Sequence, residues 1–107
     1  MIKLVDAVTA RQWLDQNEAV IIDVREPEEY ESIHIEGVKL IPLGTLHVDL
    51  LPELNGKKLI VHCMLGKRGG KACELLAASS PQLDIYNLEG GITAWENAGL
   101  KVVKQKS

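Results

Sequence analysis

The chain has 107 residues, 46% of them apolar, with 15 acidic and 12 basic side chains and a formal net charge of −3. That length suits one hydrophobic core, and the acidic balance speaks against nucleic acid held by bulk electrostatics. No apolar run is long enough to span a membrane, the stretch from Met1 to Asp6 carries no signal-peptide core, and a cytoplasmic protein with reduced thiols is expected.

With two Trp, two Tyr and no Phe, the core must be built from Ile, Leu, Val and Ala. Residues 3–5 read as a short first strand. Thr9-Ala10-Arg11-Gln12 reads as a capping box with Thr9 at the N-cap, opening a helix to about Gln16 whose apolar face is Ala10, Trp13 and Leu14. The run Ala19-Val20-Ile21-Ile22 continues into Asp23-Val24 without alternation, which predicts a strand buried on both faces. Pro27 suits a first helical turn, and Glu28 and Glu29 suit the positive end of the same helix. Asp23 and Arg25 follow the strand at its C-terminal edge, where open α/β sheets place ligand sites. A structural ion pair is the favoured reading of the two. His34 reads as a hydrogen bonder that organises its loop rather than as a base. Residues 39–41 predict a strand ended by Pro42, residues 43–51 one or two short helical turns, and residues 52–56 a turn.

The most informative stretch follows. Residues 59–61 are a β-branched apolar run, hence a buried strand, and it delivers Cys63 into a loop holding Gly66, Lys67, Arg68, Gly69 and Gly70. Helix formers run from Lys71 to Ala78. A thiol between a strand and a helix N-terminus sits beneath unpaired backbone N–H groups, the positive end of the helix dipole and two cations, and all of these favour the reactive thiolate. The three glycines supply positive φ angles or close backbone approach. His62 adjoins Cys63, but neighbouring strand side chains point to opposite faces, so His62 should face away from the loop. Cys73 lies about a turn into the helix on an apolar face and reads as a small buried hydrophobe. Two cysteines ten positions apart match no zinc spacing, and neither a metal nor another cofactor is expected. Ser79-Ser80-Pro81 stops the helix, residues 83–87 give a last strand, and Gly90-Gly91 lead to a short helix with Trp95 packed in it, ended by Gly99. Lys101, Lys104 and Lys106 predict a frayed polar tail. Short β-rich runs alternating with helices predict an α/β fold, a parallel sheet covered by helices on both faces.

Cys63-Met64-Leu65-Gly66-Lys67-Arg68 resembles the active-site loop of rhodanese-like sulfurtransferases: a cysteine, two residues, a glycine, one residue, an arginine. Asp23-Val24-Arg25-Glu26-Pro27-Glu28-Glu29-Tyr30, then His34-Ile35-Glu36-Gly37-Val38 leading to Ile41-Pro42, then Leu88-Glu89-Gly90-Gly91-Ile92-Thr93-Ala94-Trp95, resemble that family's other motifs in the same order. The resemblance runs from about residue 6 to 103 and makes residues 1–107 a single rhodanese-like domain with a short polar C-terminal tail. It implies a three-layer sandwich with a five-stranded parallel sheet. It also implies a sulfurtransferase, in which Cys63 takes a sulfane sulfur from thiosulfate or a persulfide donor and passes it to cyanide or a thiol. Met64, Leu65, Gly66, Lys67, Arg68 and Gly69 would then bind substrate. The loop amides would stabilise the persulfide, while Lys67 and Arg68 would hold the anionic donor and the departing sulfite. Asp23 and Arg25 would shape the rim. The expected partners are a small anionic sulfur donor and a thiol or cyanide acceptor, with a persulfide-donating protein as an alternative source, and neither nucleic acid nor membrane.

Two other readings compete with this one, a non-catalytic binding module and a cysteine-dependent phosphatase or arsenate reductase. The related phosphatases resemble a cysteine and an arginine separated by five residues. Four separate Cys63 from Arg68, a shorter cradle that suits a single sulfur atom. Retention of the cysteine and of both loop cations speaks against the binding module. One departure from the family stands out: rhodanese-like loops commonly carry Ser or Thr after the arginine, where Gly69 and then Gly70 stand here. A looser first helical turn and a more mobile loop are expected from it.

Overall fold

The computed structural model describes residues 2–105. Met1 of the amino-terminal segment and Lys106 of the expected tail lie outside the described residues. In chain order the elements are β1 (Lys3–Val5), α1 (Ala7–Asp15), β2 (Ala19–Asp23), α2 (Pro27–Ser32), β3 (Ile33–His34), β4 (Lys39–Leu40), two 3-10 turns (Leu43–Thr45 and Val48–Leu50), β5 (Lys58–His62), α3 (Lys67–Ser79), β6 (Ile85–Leu88), α4 (Gly91–Asn97) and β7 (Val103–Lys104). Five strands form one sheet in the order β1-β6-β5-β2-β4, with every neighbouring pair parallel. The expected α/β fold with a five-stranded parallel sheet is therefore present.

The central strand is β5, and Leu59, Ile60 and Val61 are all fully buried. Strand alternation divides them between two cores. Ile60 joins Val5, Ala7, Ala10, Ile21, Leu88, Ile92 and Trp95 beneath α1 and α4. Leu59 and Val61 join Ile22, Val24, Ile41, Ala72, Cys73 and Leu76 beneath α3, with Leu43, Leu46 and Val48 of the 3-10 turns packed against them. Helices on both faces explain why β2 and β5 read as unbroken apolar runs.

Three local expectations need correction. The N-cap of α1 is Asp6, not Thr9: Asp6 is extended, and its carboxylate accepts from the Thr9 backbone N–H at 2.7 Å. Asp6 precedes Thr9 by three positions and adds a negative charge at the positive end of the helix, so the carboxylate takes the capping role and Thr9 falls inside the first turn. The second correction concerns α3, which begins at Lys67 rather than Lys71. Gly66, at φ 115°, is its N-cap, and Gly69 and Gly70 are ordinary first-turn residues without positive φ. The third concerns the tail. Val103 and Lys104 pair antiparallel with His34 and Ile33, and the Gln105 N–H donates to the Ser32 carbonyl at 2.9 Å. Backbone groups left open at the end of α2 recruit the tail into a two-stranded ribbon, so it is ordered through Gln105.

Candidate active site

The site is built where β5 ends. Cys63 lies one residue beyond the strand and its side chain falls on the α3 face; it is 1% exposed. The chain then turns through Gly66, whose left-handed φ of 115° aims its N–H at the Cys63 Sγ, 3.0 Å away. A β-carbon would strain that conformation. From the first turn of α3 the Gly69 N–H also donates to Sγ, at 3.2 Å. Two backbone donors and the positive end of a 13-residue helix thus converge on one sulfur. Donors in this arrangement favour negative charge on the sulfur they surround.

The loop is held from outside by two contacts that the sequence did not announce. On one side, the Asn87 Nδ2 of β6 donates to the Gly66 carbonyl at 2.9 Å. The Asn87 Oδ1 lies against Gly69, where a Cβ would collide with it. A side chain after the arginine would therefore need the Asn87 amide to shift. On the other side, the first N–H groups of α4 hold the backbone behind the nucleophile. Ile92 N–H donates to the Cys63 carbonyl at 2.9 Å and Thr93 N–H to the Met64 carbonyl at 3.2 Å. A Cβ at Gly91 would strike both carbonyls. The loop carbonyls thus point outward to Asn87 and α4, which leaves the N–H groups pointing inward. The expected mobility of the loop is not what these clamps produce.

Lys67 is exposed at the mouth, whereas Arg68 is tethered. Its two terminal nitrogens reach the two Glu29 carboxylate oxygens of α2 at 2.6 and 2.9 Å. The bonds to Arg68 pull the Glu29 carboxyl down to about 2. The sequence placed both cations on the donor, yet the structure turns the Arg68 fork toward Glu29. Cys63, Met64, Leu65, Lys67 and Arg68 line a pocket of about 270 Å³.

Asp23, Arg25 and His62 form a separate buried group on the opposite face of β5. The Arg25 Nε and Nη2 bond the Asp23 carboxylate at 2.8–3.1 Å, and Nη2 also donates to the Ile33 carbonyl at 2.6 Å. This is the structural ion pair expected from the sequence, but both residues are fully buried, so they brace the α2–β3 segment from inside and do not shape the rim as expected. His62 is also fully buried. Its Nδ1 lies 3.3 Å from the Cys63 carbonyl, not from Sγ, which fits the face predicted for it. Burial pushes its pKa down, with Asp23 opposing, so the ring is neutral at pH 7. His34 Nδ1 lies 2.9 Å from the Tyr30 carbonyl, the local hydrogen bond expected of it. Among the described residues no group of three or more His, Cys, Asp or Glu could hold a metal ion, and no helix is long and apolar enough to cross a membrane.

The sequence profile of the Rhodanese-like domain matches residues 6–98. The chain belongs to the rhodanese-like domain family. An uncharacterized protein of Synechocystis is 36% identical over 92% of this chain, and the chain spans 55% of that protein's length. A thiosulfate sulfurtransferase of Pseudoalteromonas translucida is 29% identical over 81% of this chain and 82% of its own. Among solved structures, a rhodanese-related protein of Thermoplasma volcanium superposes with a TM-score of 0.81 at 31% identity, covering 94% of this chain and 97% of that one. The rhodanese-like family thus includes relatives named as sulfurtransferases alongside others with no assigned activity.

Of the residues that shape this site, sequence reasoning missed Glu29, Asn87 and the contact role of Gly91. Asn87 carried a signal, being the one polar side chain of β6 besides Tyr86. A buried amide in a parallel strand needs a partner, and the neighbouring loop is the nearest consumer.

Proposed function

We propose that this domain is a sulfurtransferase that works through a persulfide on Cys63. The observation that carries the reading is the pair of loop N–H groups, from Gly66 and Gly69, aimed at the Cys63 Sγ at the N-terminus of α3. The Cys63 thiolate attacks the sulfane sulfur of thiosulfate or of a persulfide donor. A bond forms between Sγ and that sulfur, the donor's S–S bond breaks, and its electron pair leaves on sulfite or on the donor thiolate. A thiophile, cyanide or a thiolate, then attacks the outer sulfur, and the electron pair of the second S–S bond returns to Sγ. Neither displacement requires a general base if both sulfurs enter as anions, which agrees with the absence of a side-chain base within bonding distance of Sγ among the described residues. Lys67 attracts the anionic donor, Met64 and Leu65 border it, and Arg68 with Glu29 fixes the loop. The cycle needs a free thiol, which suits a reducing compartment such as the cytoplasm.

The loop geometry favours sulfur over phosphate. Four residues lie between Cys63 and Arg68, and the guanidinium that would face a phosphoryl oxyanion is occupied by Glu29. The purified domain is expected to turn over thiosulfate and cyanide to thiocyanate, and to leave aryl phosphates at background. Hydrolysis of an aryl phosphate that disappears in Cys63→Ser, with no thiocyanate formed, would move the assignment to a phosphatase. Silence in both assays would favour a binding module.

A further inference from the structure

One side chain touches both residues that hold the nucleophile without bonding the nucleophile itself. Asn87, on β6, donates from Nδ2 to the Gly66 carbonyl at 2.9 Å, and its Oδ1 lies against Gly69. Gly66 and Gly69 supply the N–H groups that reach the Cys63 Sγ. Gly66 turns at φ 115°, and a glycine leaves such a conformation easily once nothing holds it. The Gly70 N–H also donates to the Gly66 carbonyl, at 3.0 Å, closing the first turn of α3. Asn87 therefore adds a second restraint, from outside the helix. The other end of its amide is unsatisfied: Asn87 is 6% exposed, and Oδ1 has no hydrogen-bond partner among the described residues. A buried acceptor without a donor destabilises by about as much as one hydrogen bond stabilises. The amide thus adds little net stability, and its distinct contribution is a fixed loop geometry.

We infer that Asn87 is a positioning residue, which keeps Cys63 reactive by fixing the Gly66 and Gly69 N–H groups on its sulfur. The inference rests on the sulfurtransferase reading for the reaction it serves. Without the amide, Gly66 gains rotational freedom and its N–H points at Sγ for less of the time. Negative charge on Sγ then loses part of a charge-assisted bond, so the thiol ionises at higher pH than in the wild type. A thiolate that forms at higher pH is also the stronger nucleophile once formed, which recovers about half of the shift in rate. Loss of Asn87 therefore slows the nucleophile at low pH and not at high pH. The charged groups around the site are Lys67 and Arg68 of α3 and Glu29 of α2, with His62 on the opposite face of β5. Asn87 bonds to none of them, so replacing it leaves them in place.

The test is the rate of Cys63 alkylation by iodoacetamide between pH 5 and 10, read on the Cys63 peptide by mass spectrometry, in the wild type, Asn87→Ala and Asn87→Leu. Thiosulfate loading and thermal unfolding are measured on the same proteins. In both variants the midpoint of the alkylation profile should rise by about one pH unit. Below both midpoints alkylation should fall about threefold, and above both it should match or exceed the wild-type rate. Thiosulfate loading should slow with it at low pH. Asn87→Leu keeps the bulk of the side chain without the donor, and its melting temperature should stay within about 4 °C of the wild type. An unmoved profile in both variants would overturn the inference and leave the sulfurtransferase standing. A wild-type profile in Asn87→Leu would overturn it too, by making bulk the requirement. So would a rate lost by the same factor at every pH, the mark of a merely structural residue. If wild-type Cys63 is alkylated but takes no sulfur from thiosulfate or a persulfide, the sulfurtransferase reading falls. A moved alkylation profile would then still establish Asn87 as the residue that positions Cys63.

Discussion

Cys63 and Cys73 belong to one apolar cluster, yet only one of them is equipped for chemistry. Cys63 receives two N–H groups, whereas burial pushes the Cys73 thiol up to about 12. Cys73→Ser is therefore expected to keep most sulfur transfer while losing about 1–3 kcal/mol of stability from a buried hydroxyl, measured by urea unfolding. An alkylating agent at pH 7.5, about a unit below the ordinary thiol pKa, should label Cys63 and spare Cys73. His62 gives a pH dependence whose sign is fixed by its burial. Its folded pKa lies below 6.5, so below pH 6.5 the unfolded chain binds a proton that the folded one refuses. The stability it confers is complete above pH 6.5 and is lost as pH falls, with a slope of at most about 1.4 kcal/mol per pH unit. Unfolding free energies at pH 7 and 5.5 should converge in His62→Asn relative to the wild type. An equal fall in both proteins would assign the acid sensitivity elsewhere. At this scale the facing of His62 was legible from strand alternation alone. The Glu29–Arg68 pair was not, because 39 positions separate the partners and nothing local announces the contact.

Among the elements, the loop between β5 and α3 depends on side chains from β6 and main chain from α4. The strand, the glycines and the helix after them were legible as a pattern of burial and backbone freedom. The helix start was misplaced by four residues because propensity discounts glycine, while here the first turn is fixed by Gly66 and by the space left around Asn87. The same contact makes a double-mutant test possible. Gly69→Ala should lower stability by about 1–3 kcal/mol, through overpacking against Asn87, and slow persulfide formation. In an Asn87→Ala background the added cost should fall to about 0.5 kcal/mol or less, since the colliding amide is gone. Equal costs in the two backgrounds would show that Gly69 is required for some reason other than Asn87.

At the scale of the molecule, two apolar cores lie on either side of a parallel sheet, and the site occupies the loop just beyond the C-terminal end of β5. The centre of the sheet was legible because β2 and β5 are continuous apolar runs, while its five strands were expected from the family resemblance. The β3–β7 ribbon was not, since Lys101, Lys104 and Lys106 disguise two residues of strand as solvated tail. This ribbon ties the tail to the end of α2, the helix that presents Glu29. Deletion of residues 103–107 should cost about 1–2 kcal/mol and raise amide exchange at His34, read by mass spectrometry. Unchanged exchange would mean that the ribbon does not restrain this segment.

The central claim is that Cys63 carries the transferred sulfur, and one experiment addresses it directly. The protein is treated with a sulfane donor, freed of excess reagent, digested and mapped by mass spectrometry before and after addition of cyanide. One added sulfur on the Cys63 peptide, removed by cyanide with an equivalent of thiocyanate and absent in Cys63→Ser, is the predicted result. Sulfur on the Cys73 peptide, or none on either cysteine while thiocyanate still forms, would contradict it.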